Sequence, residues 1–158
     1  MSLWEALGLL GQGALSAVWP VANAELLVSA WSVRADTAWA LMTGTALFAV
    51  GHTAGKCALF AVVRHELRLP RGGGRLAEQL RKAEESLDRT VERGPWLASL
   101  LLLASASIGL PPLLLLTVLM ARTSYSFLGF TVICLVGRLV RFGFLAWGVD
   151  YVGHLPWG

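Results

Sequence analysis

Residues 96–120 read WLASLLLLASASIGLPPLLLLTVLM, a stretch without a single charge that carries Gly109, Pro111 and Pro112 in its interior. A bilayer-spanning helix needs about 20 mostly apolar residues, and this run has the length. Proline lacks a backbone N–H and its ring clashes with the preceding turn, so no helix passes straight through. The stretch is therefore read as two half-helices meeting at Ile108-Gly109-Leu110-Pro111-Pro112. Residues 3–33, apolar and interrupted by Pro20, have the same form.

Each broken stretch leads into an uninterrupted apolar run long enough to cross a bilayer. The first spans residues 39–63 and contains His52 and Lys56; the second spans 127–149 and contains Arg138 and Arg141. Composition agrees, with 56% hydrophobic residues, 15% charged and a mean hydropathy of +0.63 over 158 residues. Soluble domains carry roughly a quarter charged residues. The chain is thus expected to be an all-α, polytopic membrane protein, with two re-entrant, proline-broken hairpins and two full spans.

Charge is segregated. Residues 64–95 hold eight of the 13 Lys and Arg and six of the 10 Asp and Glu. Short basic loops stay on the cytoplasmic side, which places this loop inside. Within it, Leu76, Leu80, Ala83, Leu87 and Val91 recur at three- and four-residue spacing, and Glu78/Lys82 and Glu85/Arg89 are i,i+4 pairs of the favourable order. An amphipathic helix over 75–93 follows, opened after Gly72-Gly73-Gly74 and closed by Gly94-Pro95. Its apolar edge is expected to pack on the protein itself, with a partner chain or the membrane surface as the alternatives. The single membrane domain, 1–158, divides into an N-terminal half (1–63), this loop (64–95), a C-terminal half (96–149) and a tail (150–158).

A net charge of +3 and a pI of about 9.3 do not point to nucleic acid, since the basic loop is nearly balanced by its own acids and no nucleic-acid motif accompanies it. Cys57 and Cys134 stand alone in apolar runs, without metal or redox spacing. No metal and no cofactor is expected. Residues 7–18 followed by Ala22-Asn23-Ala24 imitate a secretory signal, but only Glu5 precedes the apolar core where basic residues belong. The segment is read as retained.

Sliding the chain on itself by 86 positions aligns the two spans: Leu27 meets Leu113, Thr37 meets Thr123, Val50-Gly51 meets Val136-Gly137, and His52 meets Arg138. Break, turn and span recur in the same order. A hairpin plus one crossing is an odd unit, so the second copy lies upside down, the inverted-repeat plan of many secondary transporters. The tail is then external; a plain kinked crossing over 96–120 would instead leave it inside.

Charges at membrane depth cost roughly 2.5–3.5 kcal/mol each on insertion scales and call for a reason. Arg138 and Arg141 are three residues apart, hence on one helical face. Lys56 is read as snorkelling to the cytosolic surface, whereas His52, one turn deeper, reaches out less easily. Half-helix N-termini following Pro20 and Pro111-Pro112 carry partial positive charge. Together with Arg138, Arg141 and His52, and with hydroxyls from Ser105 and Ser107, they compose a candidate anion site. A lipid phosphate suits it, since the tails can remain in the bilayer. Glu25 is the proton-coupling candidate, being easily buried only when protonated; the alternative is that it pairs with an arginine and locks the bundle. Gly44, Gly51 and Gly55 share a face of the first span and are read as packing.

At these residues the chain resembles the DedA-like, or VTT-domain, membrane proteins. Pro20, Glu25-Leu26-Leu27, Gly51-x-x-x-Gly55 and Arg64 are similar to that family's first half, and Gly109-Leu110-Pro111-Pro112, Phe127 and Gly137-Arg138 to its second. The family usually carries an arginine beside the second glycine-proline turn; here Ser105-Ala106-Ser107-Ile108-Gly109 has none, so that role passes to Arg138 and Arg141. The resemblance implies transbilayer movement of phospholipids or undecaprenyl phosphate, coupled to protons, at the inner membrane. The alternative is an accessory or assembly subunit of a larger membrane complex, with a homo-oligomer or another membrane chain docked through the 75–93 helix. An enzyme is not expected, because no nucleophile, base and orienting group occur at recognisable spacing.

Overall fold

The computed structural model describes residues 2–19, 23–65 and 75–153. Among them are seven helices and no strand: α1 (Leu3–Val18), α2 (Ala24–Arg34), α3 (Ala38–His65), α4 (Arg75–Arg93), α5 (Pro95–Ile108), α6 (Leu113–Met120) and α7 (Phe127–Gly153). Pro20, Gly72-Gly73-Gly74 and the tail beyond 153 lie outside the described residues.

At 1.5 Å per residue, α3 (28 residues) and α7 (27 residues) are long enough to cross a hydrocarbon core of about 30 Å. Both are apolar enough to do so. No other described helix is: α1 has 16 residues, α2 11, α5 14 and α6 8, and α4, with 19, is strongly polar. The order short, shorter, long thus occurs twice, in α1-α2-α3 and in α5-α6-α7.

The second interruption has a clear local cause. Gly109 adopts a left-handed conformation (φ 93°) that ends α5, its N–H donating to the Ser105 carbonyl at 3.0 Å. The Leu110–Pro111 peptide is cis. Pro112 is the residue immediately before the first turn of α6. Two consecutive residues without N–H leave fewer orphan donors at the break, and the Ser105 hydroxyl, fully buried, donates to the Pro111 carbonyl at 2.5 Å.

The chain forms two compact units, Met1–Gly55 with Leu135–Gly158, and Lys56–Cys134. The division falls within α3, after Gly55, and within α7, after Cys134.

In the Lys56–Cys134 unit, Phe60, Leu102, Leu116, Met120 and Phe130 form the core. Leu87 and Val91 of α4 are buried in it, so the amphipathic helix does pack on its own chain; Ala83, read as part of the same stripe, is exposed. Antiparallel pairing of α3 with α7 follows from Phe60 on Phe130 (4.5 Å between ring centroids) and Cys57 on Thr131 (3.2 Å). Arg64, in the last turn of α3, folds over the α6–α7 connection. Its Nε donates to the Ala121 carbonyl at 3.1 Å, and its Nη2 to those of Thr123 (3.0 Å) and Tyr125 (2.7 Å). Its Cζ lies 4.5 Å from the Phe60 ring centroid. The Tyr125 hydroxyl meets the Ser99 hydroxyl at 2.5 Å, so the first turns of α5 lie beside the exit from α6.

In the other unit α1 lies along α3 with the same direction: Leu10 is level with Gly51 and Ala14 with Gly55. A Cβ on Gly55 would sit 2.5 Å from the Ala14 carbonyl oxygen, and Gly44 lies beneath the Trp31 indole of α2. The three glycines of one face are all in packing contact, as small residues allow where backbones approach. Ser2 and Glu5 form a capping box that starts α1.

Candidate functional site

Arg138 and Arg141 occupy the middle of α7, whose other residues up to Val149 are apolar, small or aromatic. Arg138 is 9% exposed and the Arg141 side chain 19%. Neither guanidinium is left at the rim. The Cζ of Arg138 lies 5.3 Å from the ring centroid of Phe142, one turn along the same face, a cation–π distance. Phe142 is fully buried and meets Phe48 edge-on at 5.3 Å and His52 at 5.6 Å with an interplanar angle of 87°. The Phe142 ring thus meets both the imidazole of α3 and the guanidinium of α7.

His52 is 3% exposed. Its Nδ1 is 3.1 Å from the Ser16 hydroxyl of α1, and that hydroxyl donates its proton to the Gly13 carbonyl at 2.8 Å. Ser16 thereby links the His52 imidazole to the backbone of α1.

Glu25 lies in the first turn of α2, where the helix dipole favours a carboxylate, and its N–H donates to the side chain of Asn23 at 3.0 Å. Its carboxylate forms an ion pair with Arg141. Four of the residues singled out from sequence, Glu25, His52, Arg138 and Arg141, therefore gather in one unit. Of the two guanidiniums, that of Arg141 pairs with the Glu25 carboxylate and that of Arg138 lies over the Phe142 ring.

Ser105 and Ser107 belong to the other unit, with the Ser105 hydroxyl engaged by the α5–α6 break. Lys56, one turn after His52 along α3, is 4% exposed and does not snorkel to the surface. Ser16 and Phe142 were not legible as partners. Only the i,i+4 spacing of Arg138 and Phe142 hints at the stacking. Cys57 and Cys134 are free thiols, and among the described residues no three His, Cys, Asp or Glu side chains are placed to share a metal ion.

No protein-family model matches this chain, and neither a curated protein nor a solved structure does.

Proposed function

We propose that this chain is a multi-pass protein of the inner membrane that moves a lipid-borne phosphate, on a phospholipid or undecaprenyl phosphate, across the bilayer in the manner of the DedA-like proteins it resembles. One observation supports the reading: Arg138, buried, and Arg141, half-buried, lie in the middle of a helix long enough to cross, with Glu25 brought to Arg141 from a short helix. Charges at that depth are costly unless used, and two cations with one acid suit an anion that comes and goes. The phosphate displaces Glu25 from Arg141 when the carboxylate takes a proton, and loss of that proton returns the ion pair and expels the phosphate. Proton movement and phosphate movement are thereby tied.

The repeated helix order and the interrupted α5–α6 pair support an inverted repeat of re-entrant hairpins. Arg64 holds the α6–α7 connection against the same end of α3 that enters the basic loop, and Ser99 holds the start of α5 to Tyr125. Entry to and exit from the pair then lie at one membrane surface, which favours re-entry over a kinked crossing.

Reconstituted vesicles carrying a fluorescent phosphatidylglycerol test the reading. Arg138→Ala and Arg141→Ala are each expected to lower flipping at least tenfold at normal expression; unchanged flipping removes the site. The second reading, an assembly subunit, draws on the same Glu25–Arg141 pair as a fixed brace between α2 and α7. It requires a constant second chain after purification in mild detergent.

A further inference from the structure

Phe142 is fully buried, and its ring has contacts on two helices. On α7 it lies one turn after Arg138, whose Cζ is 5.3 Å from the ring centroid. On α3 it meets Phe48 at 5.3 Å and His52 at 5.6 Å, both edge-on. Phe48 and His52 are themselves one turn apart, so the ring bears on two successive turns of α3. His52 in turn is tied through Ser16 to the Gly13 carbonyl of α1. A continuous line of contacts thus runs from the backbone of α1, through α3, to a guanidinium of α7. We propose that Phe142 is a positioning residue for the lipid phosphate, its ring holding the Arg138 guanidinium in a fixed place, a role that rests on the transport reading.

A cation over an aromatic face is attracted by the ring's quadrupole, and the attraction grows where water is excluded. Arginine is long and rich in rotamers, so a guanidinium that must meet a phosphate through paired N–H groups gains from being held beforehand. The ring contact is additional to any hydrogen bond that the Arg138 guanidinium makes. It also differs in kind from the hold on Arg141. Glu25 grips Arg141 as a carboxylate and loses that grip when it takes a proton, whereas Phe142 has no proton to exchange. One guanidinium therefore follows the proton on Glu25, and the other keeps its place throughout.

The chain shows the same device on α3. Phe60 and Arg64 are also one turn apart, with the Cζ of Arg64 4.5 Å from the ring centroid. There the guanidinium so held donates to three carbonyls. At Arg64 the acceptors belong to the protein; at Arg138 the proposed acceptor is the phosphate.

Stepwise fluorination of the ring tests this, because fluorine draws electron density from the face that attracts the cation while adding little volume. Mono-, di- and trifluorophenylalanine are placed at position 142 by codon suppression, and flipping of fluorescent phosphatidylglycerol is followed in vesicles over a range of lipid fractions. The half-saturating fraction is expected to rise with each fluorine, by about tenfold at the trifluorinated ring, with the maximal rate kept within about twofold. The same rings in place of Phe130, fully buried in the other core, are expected to leave it unchanged. A flat series at 142, or an equal rise at 130, means that the ring only fills space and overturns the role. A second readout needs no lipid. Fluorination at 142 is expected to lower thermal stability in detergent in the parent and to have no effect in Arg138→Met; equal slopes in the two also overturn it. Failure of the parent to flip phosphatidylglycerol removes the transport reading and this role with it, whereas a flat series in a parent that flips removes this role alone.

Discussion

Glu25, in the first turn of α2, and Arg141, in the middle of α7, form an ion pair across 116 positions of sequence. The Arg141 side chain is 19% exposed and that of Glu25 44%, so the pair is sheltered on one side only. Removing one partner strands a charge, whereas removing both does not. Arg141→Gln and Glu25→Gln are each expected to lower thermal stability in detergent, and the double variant to lose less than the sum. A coupling of about 1 kcal/mol or more from the four-protein cycle is the expected result; additivity would mean that the pair contributes nothing.

The α1–α3 contact should be intolerant of a single methyl group. A Cβ at Gly51 meets the Leu10 carbonyl, and one at Gly55 meets the Ala14 carbonyl, both backbone atoms that do not yield as a side chain would. Gly51→Ala and Gly55→Ala are expected to destabilise by about 1–3 kcal/mol. Gly143→Ala and Gly148→Ala, where nothing lies within 4 Å, are the controls and should be neutral or slightly stabilising. Thermal shift in detergent ranks the four.

Arg64 donates from two nitrogens to three carbonyls, a geometry that depends on a planar fork. Arg64→Lys preserves the charge but not the fork. It is expected to behave like Arg64→Ala, each losing about 1.5–3 kcal/mol. A lysine variant as stable as the parent would show that charge alone matters there.

Side-specific labelling checks the membrane arrangement. With single cysteines at Ser124 and Gly153, an impermeant maleimide added to intact cells is expected to modify Gly153→Cys and to reach Ser124→Cys only after permeabilisation. The reverse pattern supports a plain kinked crossing over 96–120.

Much of the architecture was readable because it is local. Apolar length alone marks α3 and α7 to within a few residues, Gly109 and the two prolines end α5 where chain sterics require, and periodicity places α4. Even the packing of Leu87 and Val91 follows from their shared face. What escaped is what depends on residues distant in sequence. Arg64 reads as a loop charge until the α6–α7 carbonyls are brought to it. Lys56 has the length to snorkel, yet its surroundings bury it. His52 carries no sign of Ser16, 36 positions earlier, and Ser105 looks available for a ligand until its hydroxyl is seen to serve Pro111. Side chains that complete a distant backbone leave no period or spacing behind.

The seam on α3 has a bearing on self-association. Gly51-x-x-x-Gly55 is the kind of surface on which two copies of a membrane helix commonly dimerise, but here α1 of the same polypeptide already lies in it, and Trp31 covers Gly44. A second molecule would have to evict α1 to use that surface. Any homodimer must instead be built on bulkier ground, such as the outward side of α7 around Val140 and Phe144, and crosslinks between copies should appear there and not at Gly51.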